Sequence, residues 1–177
     1  MQTYRSRSSQ LWGWISLALG LLMAAVSAFA PGLSRSSVGI GLGIALAASG
    51  VAIYLRPSIG IGEEAVELRN VVQTVTIPYA RLKRIEAQWT LELVGDDGKK
   101  AGAMGAPTRS TRDRRREKSE GITPPAVDAV RQAWDAWRRS GGTAASTEGP
   151  AFTRRADPVG IACVLVAVAG AVLGLLL

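Results

Sequence analysis

Residues 11–30 read LWGWISLALGLLMAAVSAFA, residues 38–55 read VGIGLGIALAASGVAIYL, and residues 159–177 read VGIACVLVAVAGAVLGLLL. None of the three contains Asp, Glu, Lys or Arg. A hydrocarbon core of roughly 30 Å takes about 20 apolar residues of helix at ~1.5 Å rise, with a working range near 17–25. All three stretches fit. As buried core helices they would leave a chain of 177 residues with no amphipathic layer to cover them, so they are read as transmembrane spans.

The charges are partitioned along the chain. All 14 acidic residues lie between Glu63 and Asp157, and all but three of the 21 basic residues lie between Arg56 and Arg155. The three outside are Arg5, Arg7 and Arg35. The first stretch has a rival reading as a signal peptide, since Arg5 and Arg7 precede an apolar run ending in Ala28-Phe29-Ala30. That run exceeds the usual apolar region of about 7–15 residues, and Pro31 follows it directly. A retained span, turning through residues 31–37 into a second antiparallel span, accounts better for both features.

Positive charge in short loops marks the cytoplasmic side. Arg5 and Arg7 precede the first span, Arg56, Arg69, Arg81, Lys83 and Arg84 follow the second, and Arg154 and Arg155 precede the third. Only Arg35 lies in the loop between the first two. The expected topology is a cytoplasmic N-terminus and cytoplasmic residues 56–158, with the C-terminus outside the inner membrane. Trp12, Trp14 and Tyr54 sit near span ends, where amphipathic rings favour the interface. Gly39 and Gly43 in the second span, and Gly170 and Gly174 in the third, have the small-xxx-small spacing that lets helix backbones approach closely. They are the candidate helix-packing residues. Cys163 is a lone thiol within the third span, so an internal disulfide is excluded.

Between the second and third spans the period changes from helical to alternating. Ser58–Gly62 alternates, then Val66, Leu68 and Val72, then Val75, Ile77 and Tyr79, then Ile85, Ala87 and Trp89. Residues 90–94 run into Gly95-Asp96-Asp97-Gly98, a hairpin turn signal, with a returning strand over 99–104. These six short strands predict an antiparallel meander. Residues 107–121 hold Arg109, Arg112, Arg114, Arg115, Arg116 and Lys118 with little apolar content, which predicts a disordered basic loop. Thr123-Pro124-Pro125 opens a helix, and Val127, Val130, Trp134 and Trp137 form its apolar stripe. A short sheet needs a cover, and this helix supplies one. Residues 141–157 read as linker. The division is therefore 1–56 hairpin of spans, 57–140 cytoplasmic domain, 141–157 linker, and 158–177 final span.

The Arg-Pro that ends the second span, the Glu63-Glu64 pair, Ala65-Val66-Glu67-Leu68-Arg69-Asn70-Val71, Thr74-Val75-Thr76-Ile77-Pro78-Tyr79 and Ile85-Glu86-Ala87 together resemble a known pattern. They look like the small bacterial pleckstrin-homology (PH) domains of actinobacterial membrane proteins, more narrowly the PH family named after a low-molecular-weight protein antigen. The resemblance covers residues 38–106. It implies a bent antiparallel sheet closed by a C-terminal helix, a membrane location, and no known enzymatic activity. The basic segment 107–121 and the third span are additions to that pattern. The fold class expected is thus membrane α plus a small, mainly-β PH-like domain.

The chain has no His, which removes the commonest general base and metal ligand. Glu63-Glu64 and Asp96-Asp97 fall in turns and read as solvated surface charge. Gly39, Gly41 and Gly43 lie within a span rather than at a strand–helix junction, so a phosphate loop fails on context. No enzyme activity and no cofactor are expected. The basic run Arg109–Lys118 is the candidate contact for anionic lipid headgroups or for a membrane protein partner, with a merely solvated run as the open alternative. Nucleic acid is disfavoured because no stacking aromatics or reading helix accompany the run. The expectation is an interaction or scaffold module, or else an accessory subunit of a membrane enzyme or transporter.

Reporter fusions test the topology: a reporter inserted at Ser36 is expected outside and one at Gly149 inside. Export of the Gly149 reporter overturns the assignment.

Overall fold

The computed structural model describes residues 2–29, 36–87, 90–107, 125–142 and 149–176. The basic run 109–118, Trp89 and the first five residues of the expected 31–37 turn lie outside them. The described chain divides into two compact units, one of residues 7–57 and 156–177, the other of residues 1–6 and 58–155.

The first unit is helical. Helix α1 spans Arg7–Phe29, and α2 spans Ser36–Gly50, prolonged by one π-helical turn over Val51–Leu55. All three expected spans appear as helices long and apolar enough to cross a membrane; the third is the last helix, Pro158–Leu176, labelled α4 below. Helix α2 is central and packs against both α1 and α4. Both seams are lined by small residues, which is what allows close approach without large interdigitating side chains. A Cβ built on Gly20 would lie 2.5 Å from the Gly43 carbonyl oxygen, and one on Gly43 would lie 2.6 Å from the Gly20 oxygen. On the other face of α2, a Cβ on Gly41 would meet the Gly170 oxygen at 2.5 Å, and one on Gly174 the Val38 oxygen at 3.0 Å. Gly39 faces Ser27 of α1.

Helix α2 stops where Pro57 removes a donor and disfavours helix at the residue before it. The Arg56 N–H donates to the Val51 carbonyl at 3.1 Å, closing the wider turn. Helix α4 starts with Asp157 as its cap, the carboxylate accepting the Gly160 N–H at 3.1 Å, and with Pro158 at the first helical position. The Arg56 guanidinium Nη2 contacts both Asp157 carboxylate oxygens, at 2.6 and 2.7 Å.

The second unit is a sheet domain. Its strands are β1 Gln2–Tyr4, β2 Ser58–Ile61, β3 Ala65–Arg69, β4 Gln73–Pro78, β5 Leu82–Ala87, β6 Thr90–Gly95, β7 Lys100–Pro107 and β8 Thr153–Ala156, with helix α3 at Pro125–Arg139. One sheet has the order β1-β2-β3-β4-β8 and the other β5-β6-β7. The pairings β1–β2, β2–β3, β3–β4, β5–β6 and β6–β7 are antiparallel. Irregular registers at Leu82/Arg84 and Thr90/Leu91 bend the smaller sheet. Between the sheets lies one core of Ile59, Val66, Leu68, Val75, Ile77, Tyr79, Leu91 and Leu93, closed by Val127, Val130 and Trp134 of α3. These are the alternating and helical positions that the sequence marks as inward. The Tyr79 ring lies 6.1 Å from that of Trp137, the half-buried last member of the α3 stripe.

Three boundaries differ from expectation. Residues 2–4, which precede the first apolar helix, form an edge strand instead of belonging to the helical part. Residues 149–157 are not linker: Ala151 and Phe152 are buried in the core and β8 joins the larger sheet. Val72 does not continue β3. The chain reverses after Arg69, Asn70 N–H bonding the Gln73 carbonyl at 2.9 Å, and Val72 is left 44% exposed in the turn. A fragment cut at 58–140 therefore lacks two strands and a buried Phe.

Because Gly43 meets backbone rather than a movable side chain, Gly43→Ile should destabilise the helical unit by about 1–3 kcal/mol or more. Leu42→Ile on the exposed face is expected to change little. Thermal unfolding of the full chain in mild detergent reads the difference, and equal melting of the two variants would sink the close-packing account.

Candidate interaction surface

The described residues contain no group of three or more His, Cys, Asp or Glu placed to hold a metal ion. The polar constellations that the structure does build are cross-links and a charge distribution.

The first cross-link is Asn70. Its carboxamide Nδ2 donates to the Gly102 carbonyl at 3.0 Å, and its Oδ1 accepts the Met104 N–H at 2.8 Å. One buried side chain thus stands in for a strand residue against β7, tying the β3–β4 turn of one sheet to the edge of the other. The hydrogen-bonding capacity of a buried amide must be met, and here the strand edge meets it.

The second cross-link centres on Arg81, whose side chain is only 7% exposed. Its Nε donates to Asp96 Oδ2 at 2.5 Å and its Nη2 to the Gly149 carbonyl at 3.1 Å. Asp97, next in the same turn, accepts the Lys99 N–H at 3.0 Å and the Ala151 N–H at 3.3 Å. The pair expected as solvated charge is therefore a latch on residues 149–151. The hydrogen bond to Asp96 raises the Arg81 pKa against the opposing effect of burial. The same bond holds Asp96 below the ordinary carboxylate value. For Asp97 burial is the largest influence and pushes upward, but the Lys99 and Ala151 N–H groups and the Lys99 charge together outweigh it. Glu63 and Glu64, by contrast, are exposed as expected.

Strand register sorts these charges along the larger sheet. Tyr4 pairs with Ile59, Ser58 with Arg69, and Arg69 with Thr74, so these residues share one end. The chain enters the apolar helices from this end, since β1 leads into α1 and the residue before β2 closes α2. Ala65 pairs with Pro78 at the opposite end, next to Glu63 and Glu64. The Asp96-Asp97 turn also lies there, for Tyr79 N–H bonds the Glu64 carbonyl and Asp96 N–H bonds the Arg81 carbonyl. Exposed Arg5 and Arg69 stand at the end that leads into the helices, and exposed Arg154 and Arg155 lie on β8, the strand that runs from the latched residues 149–151 to the last helix. Arg69 makes a loose 3.5 Å contact with Glu67. The outer face of the smaller sheet is self-neutralised, Glu86 being held below its ordinary pKa first by the Lys100 hydrogen bond.

Of the candidate residues, Gly39 and Gly43 lie on the α1–α2 seam and Gly170 and Gly174 on the α2–α4 seam. Arg109, Arg112, Arg114, Arg115, Arg116 and Lys118 lie outside the described residues. Sequence reasoning missed Asn70 and Arg81. The only available signal for either was a polar residue beside a turn. No protein-family model, curated protein or solved structure matches this chain.

The latch gives acid sensitivity of a defined sign. Arg81 stays charged throughout, while Asp96 has its folded pKa lowered; its stabilisation is complete above its unfolded value near about 3.9. It is lost as pH falls through the depressed folded value. Asp96→Asn should lower the melting temperature at neutral pH and flatten its fall below about pH 4. A variant that keeps both the neutral stability and the acid slope of the parent refutes the latch.

Proposed function

We propose that the chain is a membrane-anchored PH-like module. It holds a small interaction domain at the inner face of the cytoplasmic membrane, where it binds a protein partner or the anionic lipid surface. The observation that carries this reading is the composition of the larger sheet. Strands β1, β2 and β8 each connect within a few residues to an apolar helix, so the domain is tethered at three points and has no freedom to act far from a bilayer. Two sheets around one core, with the consecutive strands β2–β4 and β5–β7 antiparallel and α3 closing the core, support the PH-like assignment.

The same connections support the orientation proposed. Pairing of β1 with β2 brings the start of the first span and the end of the second to one side, as an even number of crossings requires. The excess of Arg on that side assigns it to the cytoplasm. The basic run Arg109–Lys118 follows β7 in sequence, and a Lys or Arg near an anionic leaflet contributes about 1 kcal/mol of attraction.

Affinity purification of the full chain from its native membrane in mild detergent tests this reading. A peripheral or substoichiometric set of partners is expected. Recovery of a stoichiometric transporter or synthase would replace it with the accessory-subunit alternative, in which the chemistry lies in the partner.

A further inference from the structure

We propose that the end of the larger sheet from which the chain enters the apolar helices is a docking face for anionic phospholipid headgroups, with Val72 at its tip entering the interface. The inference rests on the membrane-anchored reading above and names the surface and ligand chemistry that it leaves open.

Three independent observations converge on this end. The first is sign. Arg5, Arg154 and Arg155 are exposed and have no acidic partner within ion-pair distance among the described residues, and Arg69 has only the 3.5 Å contact with Glu67. Glu63, Glu64, Asp96 and Asp97 lie at the opposite end, set there by the Ala65–Pro78 pairing and the Asp96–Arg81 backbone bond. The strands therefore carry a charge gradient along their length, which orients a tethered domain near a charged plane as well as attracting it.

The second is apolar exposure. The β3–β4 turn follows Arg69 and presents an apolar side chain, Val72, at 44% exposure, while Met104, beside Asn70, is 61% exposed. A solvated turn is ordinarily built of Gly, Asn, Asp, Pro or Ser, and Val71-Val72 is not. Asn70 holds this turn to β7 at both of its amide atoms, so the apolar tip is fixed instead of free to fold back.

The third is continuity. Ser58 pairs with Arg69 and stands two residues beyond Arg56, where the helical chain ends. At ~3.3 Å per residue that places the basic end within roughly 10 Å of the helix terminus along the chain, about one Debye length at 0.1 M salt. A headgroup layer is the partner that such a tether necessarily presents, and no pocket is required. Each arginine near an anionic surface strengthens attachment roughly fivefold.

The test uses the full chain in lipid nanodiscs, where both leaflets are alike and sidedness does not enter. Val72→Cys in a Cys163→Ala background carries a polarity-sensitive fluorophore. With phosphatidylglycerol in the discs, iodide quenching should fall several-fold and the emission shift to the blue, relative to phosphatidylcholine alone. Salt at 0.5 M should restore the neutral-disc value. Replacing Arg69, Arg154 and Arg155 together by Glu should abolish the lipid dependence, a loss of at least about a hundredfold in the docking equilibrium from the three lost positive charges alone. The same three changed to Lys should keep it, which separates loss of charge from loss of fold. Equal quenching in neutral and anionic discs, or protection that survives the triple reversal, overturns the inference. A chain that fails to enter discs at all overturns the anchoring reading with it.

Discussion

The pairing of residues 2–4 with residues 59–61 sets a condition that the rest of the molecule has to meet. Between those two adjacent strands the chain leaves the sheet, runs through two apolar helices and returns. Adjacent strands lie about 4.8 Å apart, whereas packed helix axes normally stand about 8–10 Å apart. A hairpin of helices can feed neighbouring strands only if its axes approach closely or the connections absorb the difference. Within the helical unit the Gly20–Gly43 and Gly50–Ser16 contacts allow close approach, and only the short segments 5–6 and 56–57 separate the helices from the strands in sequence.

A related economy governs β8. The latch from Arg81, Asp96 and Asp97 fixes residues 149–151, and Phe152 enters the core. The next four residues pair with the sheet, and the chain then starts its last apolar helix. The two carboxylates of one turn do different work: Asp96 compensates a buried cation, and Asp97 satisfies backbone donors. Removing the Arg81 partner would leave a nearly buried guanidinium uncompensated, the costly half of the ion-pair asymmetry. This explains why a charged residue tolerates a position otherwise suited to an apolar one.

What the sequence made legible, and what it did not, divides by the kind of force involved. The three apolar helices, the strands from β2 to β5 and the α3 stripe announce themselves through side-chain periodicity, because burial of one face selects which side chains stand there, and β6 and β7 through the turn at Gly95–Gly98 between them. Val66, Leu68, Val75, Ile77, Val127 and Val130 all fall inside as that pattern requires. Strands β1 and β8 have no such signature. Gln2-Thr3-Tyr4 is polar and three residues long, and Thr153-Arg154-Arg155-Ala156 is exposed at every position. Both are edge strands held by backbone pairing, which carries no side-chain code, and the arginines of β8 are the sort of charge that protects an edge. Val72 misled for a complementary reason. Alternation placed it inward, but the turn made by Asn70 and Gln73 arrives first. Asn70 and Arg81 were illegible because their partners, backbone groups of β7 for Asn70 and the Asp96 carboxylate and Gly149 carbonyl for Arg81, are brought within reach only by the tertiary fold.

The dipeptides Arg56-Pro57 and Asp157-Pro158 show how the helical unit resolves the charges at its margin. Each proline ends or begins a helix by lacking a donor. Arg56 then stands at the C-terminal end of α2, where unpaired carbonyls concentrate negative potential, and Asp157 at the N-terminal end of α4, where free N–H groups concentrate positive potential. Each charge is favourable at its own helix end before any pairing. Packing α2 against α4 in opposite directions brings those two ends together, so that the guanidinium and the carboxylate also neutralise each other at 2.6 and 2.7 Å. The same contact that compensates the charges fixes the register of the two helices. Sliding α4 along the Gly41–Gly170 seam by one helical turn, about 5.4 Å, would separate the ions. The small-residue seam, which by itself permits sliding, is thereby held at one position.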